Sequence, residues 1–234
     1  MPVHVRAQPG DYAEACLLPG DPNRARLIAE RFLDDAVERN NERGLLGYTG
    51  NFEGKPVSVQ CTGMGGPSAA IVVEELIELG VKRLLRVGTC GALQPHLAHG
   101  DLILALSAVP DDGTSQRYAG GEAIAPTADW DLLHGVVHAA KEIGERITYV
   151  GPIVSTDVFY EPDEGRFARW SARGLLAVEM EAATLFTVAS LRGAQAACLL
   201  TVSDTYEGGH GRISDEDLDQ AVERMARIAL AGVA

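Results

Sequence analysis

Short apolar runs alternate with helical patterns along the whole chain, and that alternation leaves few folds open. Runs at 14–18 (EACLL), 56–62 (PVSVQCT), 83–87 (RLLRV), 101–109 (DLILALSAV), 148–154 (TYVGPIV), 174–179 and 195–202 (QAACLLTV) read as strands. They are close to continuously apolar, as strands covered on both faces are. Helical periodicity predicts helices over 22–33, 66–79, 129–143, 164–173, 181–192 and 215–232. Asp21 can cap the first helix, and Pro22 suits its first turn. Ser214 is a cap candidate for the last helix, with acids in its first turn and Arg224 and Arg227 further along. The segment 43–60 reads as a hairpin that turns near Glu53-Gly54. No internal repeat or linker is visible. The pattern predicts an α/β fold: a single domain over 1–234, with a mixed, twisted central sheet flanked by helices.

Charge narrows the partners. The 234 residues carry 20 basic and 33 acidic side chains, a formal net charge of −13. Such a surface repels nucleic acid and anionic membrane. An anion would have to be held by a few locally placed arginines. Cys16, Cys61, Cys90 and Cys198 are far apart and form no CxxC pair, so they read as buried free thiols in a reducing cytosol. The start MPVHVRAQPG has no apolar signal core, and no run approaches membrane-spanning length. The expectation is a soluble cytoplasmic protein.

Three strand ends run into glycine-rich segments, LLPGDPNR (17–24), TGMGGPS (62–68) and RVGTCGA (86–92), which read as turns. Exposed N–H groups at such ends can hold anions. Arg24 falls in the first turn of a helix, where a cation is mildly disfavoured, so it is either a solvated surface side chain or joined by an anion. Arg86 lies inside a strand suited to burial, so its partner is either a distant carboxylate or a bound anion.

The stretch LLAVEMEAA places Glu179 and Glu181 two apart in an apolar run with no basic residue adjacent. Either one is solvated and the other pairs with an arginine, or a carboxylate accepts hydrogen bonds from a vicinal diol. Met180 between them offers an apolar surface to a sugar face. Asp204 ends the run TVSDT and is either a turn cap or a proton donor. The Phe159-Tyr160 pair in STDVFY either stacks on a base or belongs to the core. Taken together, these strand ends fit phosphate, sugar and base.

The stretches LLPGDPNRARLIAE, NNERGLLGYTG, GMGGPSAAIVVEEL, RVGTCGAL, FYEPD, VEMEAATLF and TVSD, with the tail MARIAL, resemble the hexameric-type bacterial purine nucleoside phosphorylases of the purine and uridine phosphorylase superfamily. The resemblance implies reversible phosphorolysis of purine (deoxy)ribonucleosides to free base and (deoxy)ribose 1-phosphate, in a homohexamer built as a trimer of dimers with shared active sites. It implies a phosphate site of Gly20, Arg24, Arg86, Gly88 and Thr89, with Arg43 reaching in from a neighbouring subunit. Ribose would be held by Glu181 with Met64, Glu179 and Met180, and its 5′ end by the neighbour's His4. The base would meet Cys90, Gly91, Phe159, Ser203 and Asp204, with Asp204 as the proton donor. Inorganic phosphate would be a co-substrate, with no cofactor and no metal. Purine nucleoside and phosphate are thus the implied partners, with no nucleic acid and no membrane.

The segment TYEGGHGRISDED (205–217) departs from the family pattern, and Arg212, its only arginine, is the candidate for a catalytic lid arginine. The Gly-Gly-His-Gly run there reads as a mobile loop. Uridine phosphorylase, a methylthioadenosine-type nucleosidase and a non-catalytic nucleoside- or phosphate-binding sensor are the alternatives. Asp163 and Gly165 stand where the uracil-reading Gln-x-Arg would be, with Arg166 one place late. His134 and His138, spaced i, i+4 without the metalloprotease glutamate, read as a surface pair.

Overall fold

The apolar runs pair into one ten-stranded sheet in a computed structural model that describes residues 2–206 and 211–233. The strands are β1 (Ala15–Leu18), β2 (Asp34–Asn40), β3 (Gly47–Phe52), β4 (Lys55–Gln60), β5 (Arg83–Ala92), β6 (Leu102–Asp111), β7 (Tyr149–Thr156), β8 (Ala177–Glu179), β9 (Gln195–Thr205) and β10 (Gly211–Arg212). The helices are α1 (Pro22–Phe32), α2 (Gly66–Glu78), α3 (Gly113–Tyr118), α4 (Trp130–Glu142), α5 (Arg166–Ser171), α6 (Ala182–Arg192) and α7 (Asp215–Val233). Their spatial order is β10-β9-β6-β7-β8-β5-β1-β4-β3-β2, and β9 also pairs with β5. The strands β5, β8, β7, β6 and β9 therefore close into a ring. The sheet is mixed: β1 runs parallel to β4 and β5, whereas β5 with β8 and β6 with β9 are antiparallel.

Both faces are covered. Ile28 of α1, Val136 of α4 and Met225 of α7 pack on one side. Val72 of α2 and Phe186 of α6 pack on the other. Strand alternation sends Leu85 and Val87 to the first cluster and Leu84 to the second. Asp21 caps α1 by accepting from the Asn23 N–H at 2.8 Å, and Ser214 accepts from the Asp217 N–H at 3.1 Å. The hairpin turn falls at Glu53-Gly54, where φ is +50° and +78°, the left-handed pair that a tight two-residue turn requires.

Several details differ from the sequence reading. RVGTCGA is no turn: β5 continues through it to Ala92, pairing with β9 and β8 as it goes. Gly88 has to be side-chain-free because a Cβ there would stand 2.8 Å from Arg86 Nη2. β8 begins at Ala177 rather than 174, after Gly174 at φ +78°. The edge strand β2, DDAVERN, has too few apolar residues for its alternation to show. α3 is only 6 residues long, too short for periodicity. The four cysteines are buried and free. Among the described residues no helix is long and apolar enough to cross a membrane. Of the Gly-Gly-His-Gly run, residues 208–210 lie outside the described residues.

Candidate active site

The C-terminal ends of β1, β5, β7, β8 and β9 surround a cavity of about 560 Å³. Gly20 enters from the β1–α1 turn, Met64 from the turn before α2, and Glu179–Glu181 from the β8–α6 junction. Ligands of open α/β sheets bind at such strand ends. Ser203 and Asp204 are consecutive, yet both line the cavity. A regular strand would point them to opposite faces. Here Cys90 pairs with Val202 and Gly91 with Asp204, so Ser203 is an extra residue, and this β-bulge turns both side chains inward. The Ser203 hydroxyl donates to Asp204 Oδ2 at 2.7 Å.

The question raised by Glu179 and Glu181 is answered by Arg86. Sequence reading found nothing cationic near them; the cation comes from β5, 93 residues earlier. Arg86 Nε donates to Glu179 Oε2 at 2.9 Å, and Arg86 Nη2 is paired with Glu181 Oε2. All three residues are buried. Arg86 thus pairs with distant carboxylates, and neither glutamate is solvated. Glu179 does more: it accepts from Ser155 Oγ, from the Glu181 N–H at 2.9 Å and from the Ala182 N–H at 3.0 Å. It is the anion at the N-terminus of α6, held by the helix as well as by the arginine. Glu181 Oε1 accepts from the Gly65 N–H at 2.5 Å. Burial lowers the Arg86 pKa, but Glu181 and Glu179 overcome that and raise it. Burial, with the Glu179 charge, pushes the Glu181 carboxyl up against the pull of Arg86. One guanidinium cannot neutralise two carboxylates.

One donor of Arg86 is left over. Nη1 is buried and has no hydrogen-bond partner among the described residues. A methyl group on Gly20 would stand 3.8 Å from it. Beside it lie Arg24 and Thr89, whose Nη2 and Oγ1 are 3.5 Å apart. Among the described residues the one ion pair of Arg24 is a 3.8 Å contact with Asp21. Burial, aided by the charges of Arg86 and Arg212, lowers its pKa against the opposing pull of Asp21. This corner is rich in cations and short of counterions. Arg43 lines the same cavity of the same chain from a 3₁₀ turn, at φ +55°, a conformation uncommon for a non-glycine residue. Cys61 lines it too, with its thiol 3.3 Å from the Gly20 carbonyl.

The other end is aromatic. Phe159 and Tyr160 are exposed, with ring centroids 5.1 Å apart, so they are not core. Phe159, Cys90 and Gly91 line the cavity, and so do Phe167 and Tyr206, which sequence reasoning missed. Phe167 belongs to a short helix with no local mark of function. Tyr206 follows the TVSDT run and could have been marked by that position alone.

His4 and Arg212 do not line this cavity. His4 Nδ1 is 2.9 Å from Glu75 Oε1, and the Val3, His4 and Val5 N–H groups donate to the same carboxylate. Arg212 sits opposite Asp204 in the β9–β10 ladder, exposed, beside a second, polar cavity of about 620 Å³ with His99 and Arg224. Arg166 is paired with Asp111 and Glu161 and lies 5.2 Å above the Trp170 ring, and it does not line the strand-end cavity. His134 and His138 stack at 6.5 Å on the exposed face of α4.

A sequence model of the Phosphorylase superfamily matches residues 14–234. A purine nucleoside phosphorylase DeoD-type of Alkaliphilus metalliredigens (strain QYMF) is 46% identical over 231 residues, spanning 98% of this chain and 98% of its own. One of Geobacillus kaustophilus (strain HTA426) is 46% identical over 231 residues, spanning 98% and 97%. One of Bacillus cereus (strain B4264) is 46% identical over 217 residues, spanning 92% of each. The match runs unbroken from β1 through α7, across every strand end that builds the cavity, and the chain belongs to the Phosphorylase superfamily.

Proposed function

We propose that this protein catalyses reversible phosphorolysis of purine (deoxy)ribonucleosides, giving free base and (deoxy)ribose 1-phosphate. The observation that carries the reading is the unpaired, buried Nη1 of Arg86, set beside Gly20, Arg24 and Thr89. A buried charged donor left without a partner costs several kcal/mol unless an anion meets it. Phosphate is such an anion, and arginine forks match its oxygens. Glu181, fixed by Arg86 and the Gly65 N–H, faces the same space and accepts the sugar hydroxyls.

The reaction follows from these placements. As the glycosidic bond breaks, the sugar carbon becomes cation-like and the base gains negative charge. Asp204, turned inward by the bulge, donates a proton to the base; general acids are worth roughly 10²–10⁴-fold. The phosphate dianion attacks the sugar carbon and needs positioning more than activation. Met64 and Phe159, both exposed at the mouth, cover the sugar and base. Arg212, across the ladder from Asp204 but outside the cavity, has no part in this scheme where it stands. Phosphate is a co-substrate, and no metal or organic cofactor takes part in this scheme.

The 1–234 chain acts as a single phosphorylase domain in the cytoplasm, within a homohexamer arranged as a trimer of dimers. His4 lies outside its own chain's cavity, which supports a role at a neighbour's site. Because Arg166 is tied to Asp111, it is not free to read a uracil edge. The test is to incubate the protein with inosine, guanosine, adenosine and uridine, with and without phosphate. Phosphate-dependent release of purine bases is the expected result. Equal release without phosphate would make it a hydrolase, uridine turnover alone a pyrimidine enzyme, and no turnover a sensor.

A further inference from the structure

Tyr206 and Phe167 stack with ring centroids 4.2 Å apart and an interplanar angle of 27°. Both rings line the cavity at the end that holds Ser203 and Asp204. The pair is firmly backed. Phe167 leans on Trp170 at 5.7 Å, and Trp170 is buried in a small cluster with Leu93, Val154, Leu175 and Val178. Arg166 lies over the outer side of Trp170 and is itself anchored to Asp111 and Glu161. The wall is also matched to what lies beneath it. A Cβ on Gly91 would come within 2.4 Å of Tyr206 Cε2 and 2.8 Å of its hydroxyl oxygen. Only glycine at 91 lets the Tyr206 ring lie where it does.

We propose that the Tyr206–Phe167 pair, seated on Gly91, is the specificity-determining wall of the base end, which limits how large a substituent the base can carry. This deepens the phosphorolysis reading and rests on it for the identity of the base. A fixed aromatic wall rejects by volume, because interiors backed by packed side chains do not yield easily. The hydroxyl end of Tyr206 lies near Asp204 and Cys90; burial first, then those two groups, raises its pKa, so it stays a neutral donor. The ring sets the size limit, and the hydroxyl is not needed for it.

The experiment compares adenosine with N6-benzyladenosine in wild type, Tyr206→Ala and Tyr206→Phe, at saturating phosphate. In parallel, binding of free adenine and N6-benzyladenine is measured by calorimetry, which needs no turnover. Fit of one group in an apolar pocket is worth roughly 10–200-fold. Wild type and Tyr206→Phe should discriminate against the benzyl compounds, and Tyr206→Ala should shrink that discrimination at least tenfold in kcat/KM and in affinity. Phe167→Leu, which loosens the stack without emptying the wall, should shrink it less. Should Tyr206→Ala not fold, as judged by its melting transition, Phe167→Leu carries the same comparison. Discrimination unchanged in the folded variants would overturn the wall, and so would Tyr206→Phe losing it as fully as Tyr206→Ala. If no nucleoside is cleaved but Tyr206→Ala still gains affinity for N6-benzyladenine, the wall stands and phosphorolysis falls.

Discussion

At one end of the cavity three charged side chains are buried and bonded to one another; at the other, Phe159 stands largely in solvent. The charged end is over-determined. Glu179 alone is held by Arg86, Ser155 and the N–H groups of Glu181 and Ala182 at the start of α6. The aromatic end mixes the fixed Tyr206–Phe167 stack with the exposed Phe159 ring at the mouth. The contrast matches what each end handles. An oxyanion and a sugar must be oriented to within fractions of an ångström, and pre-set dipoles do that without reorganisation. A flat base gains from stacking, which tolerates small shifts.

Four substitutions or conditions sharpen this contrast, and the largest effect belongs to Arg86. Arg86→Ala strands two buried carboxylates, and losing one partner of a buried pair costs about 3–5 kcal/mol. Denaturant unfolding should show that loss, along with abolished phosphorolysis; a variant as stable as wild type would mean the triad is not the rigid element claimed. Asp204→Asn, at the rim of the bulge, should lower kcat by roughly 10²–10⁴-fold with unfolding midpoint and nucleoside affinity close to wild type. Unchanged turnover would remove its acid role. Arg24→Ala should raise KM for phosphate about tenfold or more, as loss of a charged hydrogen bond does, and leave KM for nucleoside nearly unmoved. Equal rises in both would place Arg24 elsewhere in the reaction.

The smallest effect is a pH dependence. Glu181 in the folded chain keeps its proton to a higher pH than the ordinary 4.5. From 4.5 upward to that raised value the folded state binds more protons than the unfolded one, so this group's contribution to stability falls as pH rises. Glu181→Gln should flatten that slope in unfolding experiments run across the window. In activity, the acid limb of kcat/KM should lie above 4.5, because a protonated Glu181 accepts fewer hydroxyl hydrogen bonds. An acid limb at or below 4.5 would contradict the assignment.

Much of this was legible in the sequence for definite reasons. α1 declares its start through Asp21 and Pro22, and both β9 and β6 are long apolar runs. The ring closure was not legible, because it depends on β9 pairing with both β5 and β6, a choice made by three-dimensional packing. The cavity residues came largely from recognisable motifs, but their couplings did not. Arg86 and Glu179 are 93 residues apart, and no local pattern says they meet. The inward turn of Ser203 and Asp204 comes from a bulge whose extra residue shows only in the register with β5. Tyr206, just past β9, and Phe167, in the short α5, come together from distant segments and carry no motif.

The most direct measurement is a structure of the protein with inorganic phosphate and a nucleoside bound. The account predicts a phosphate oxygen within hydrogen-bond distance of Arg86 Nη1, Arg24 alongside, and the Arg86 bonds to Glu179 and Glu181 intact beneath a pentose held by Glu181. Phosphate bound elsewhere, with Arg86 Nη1 still lacking a hydrogen-bond partner, would contradict it.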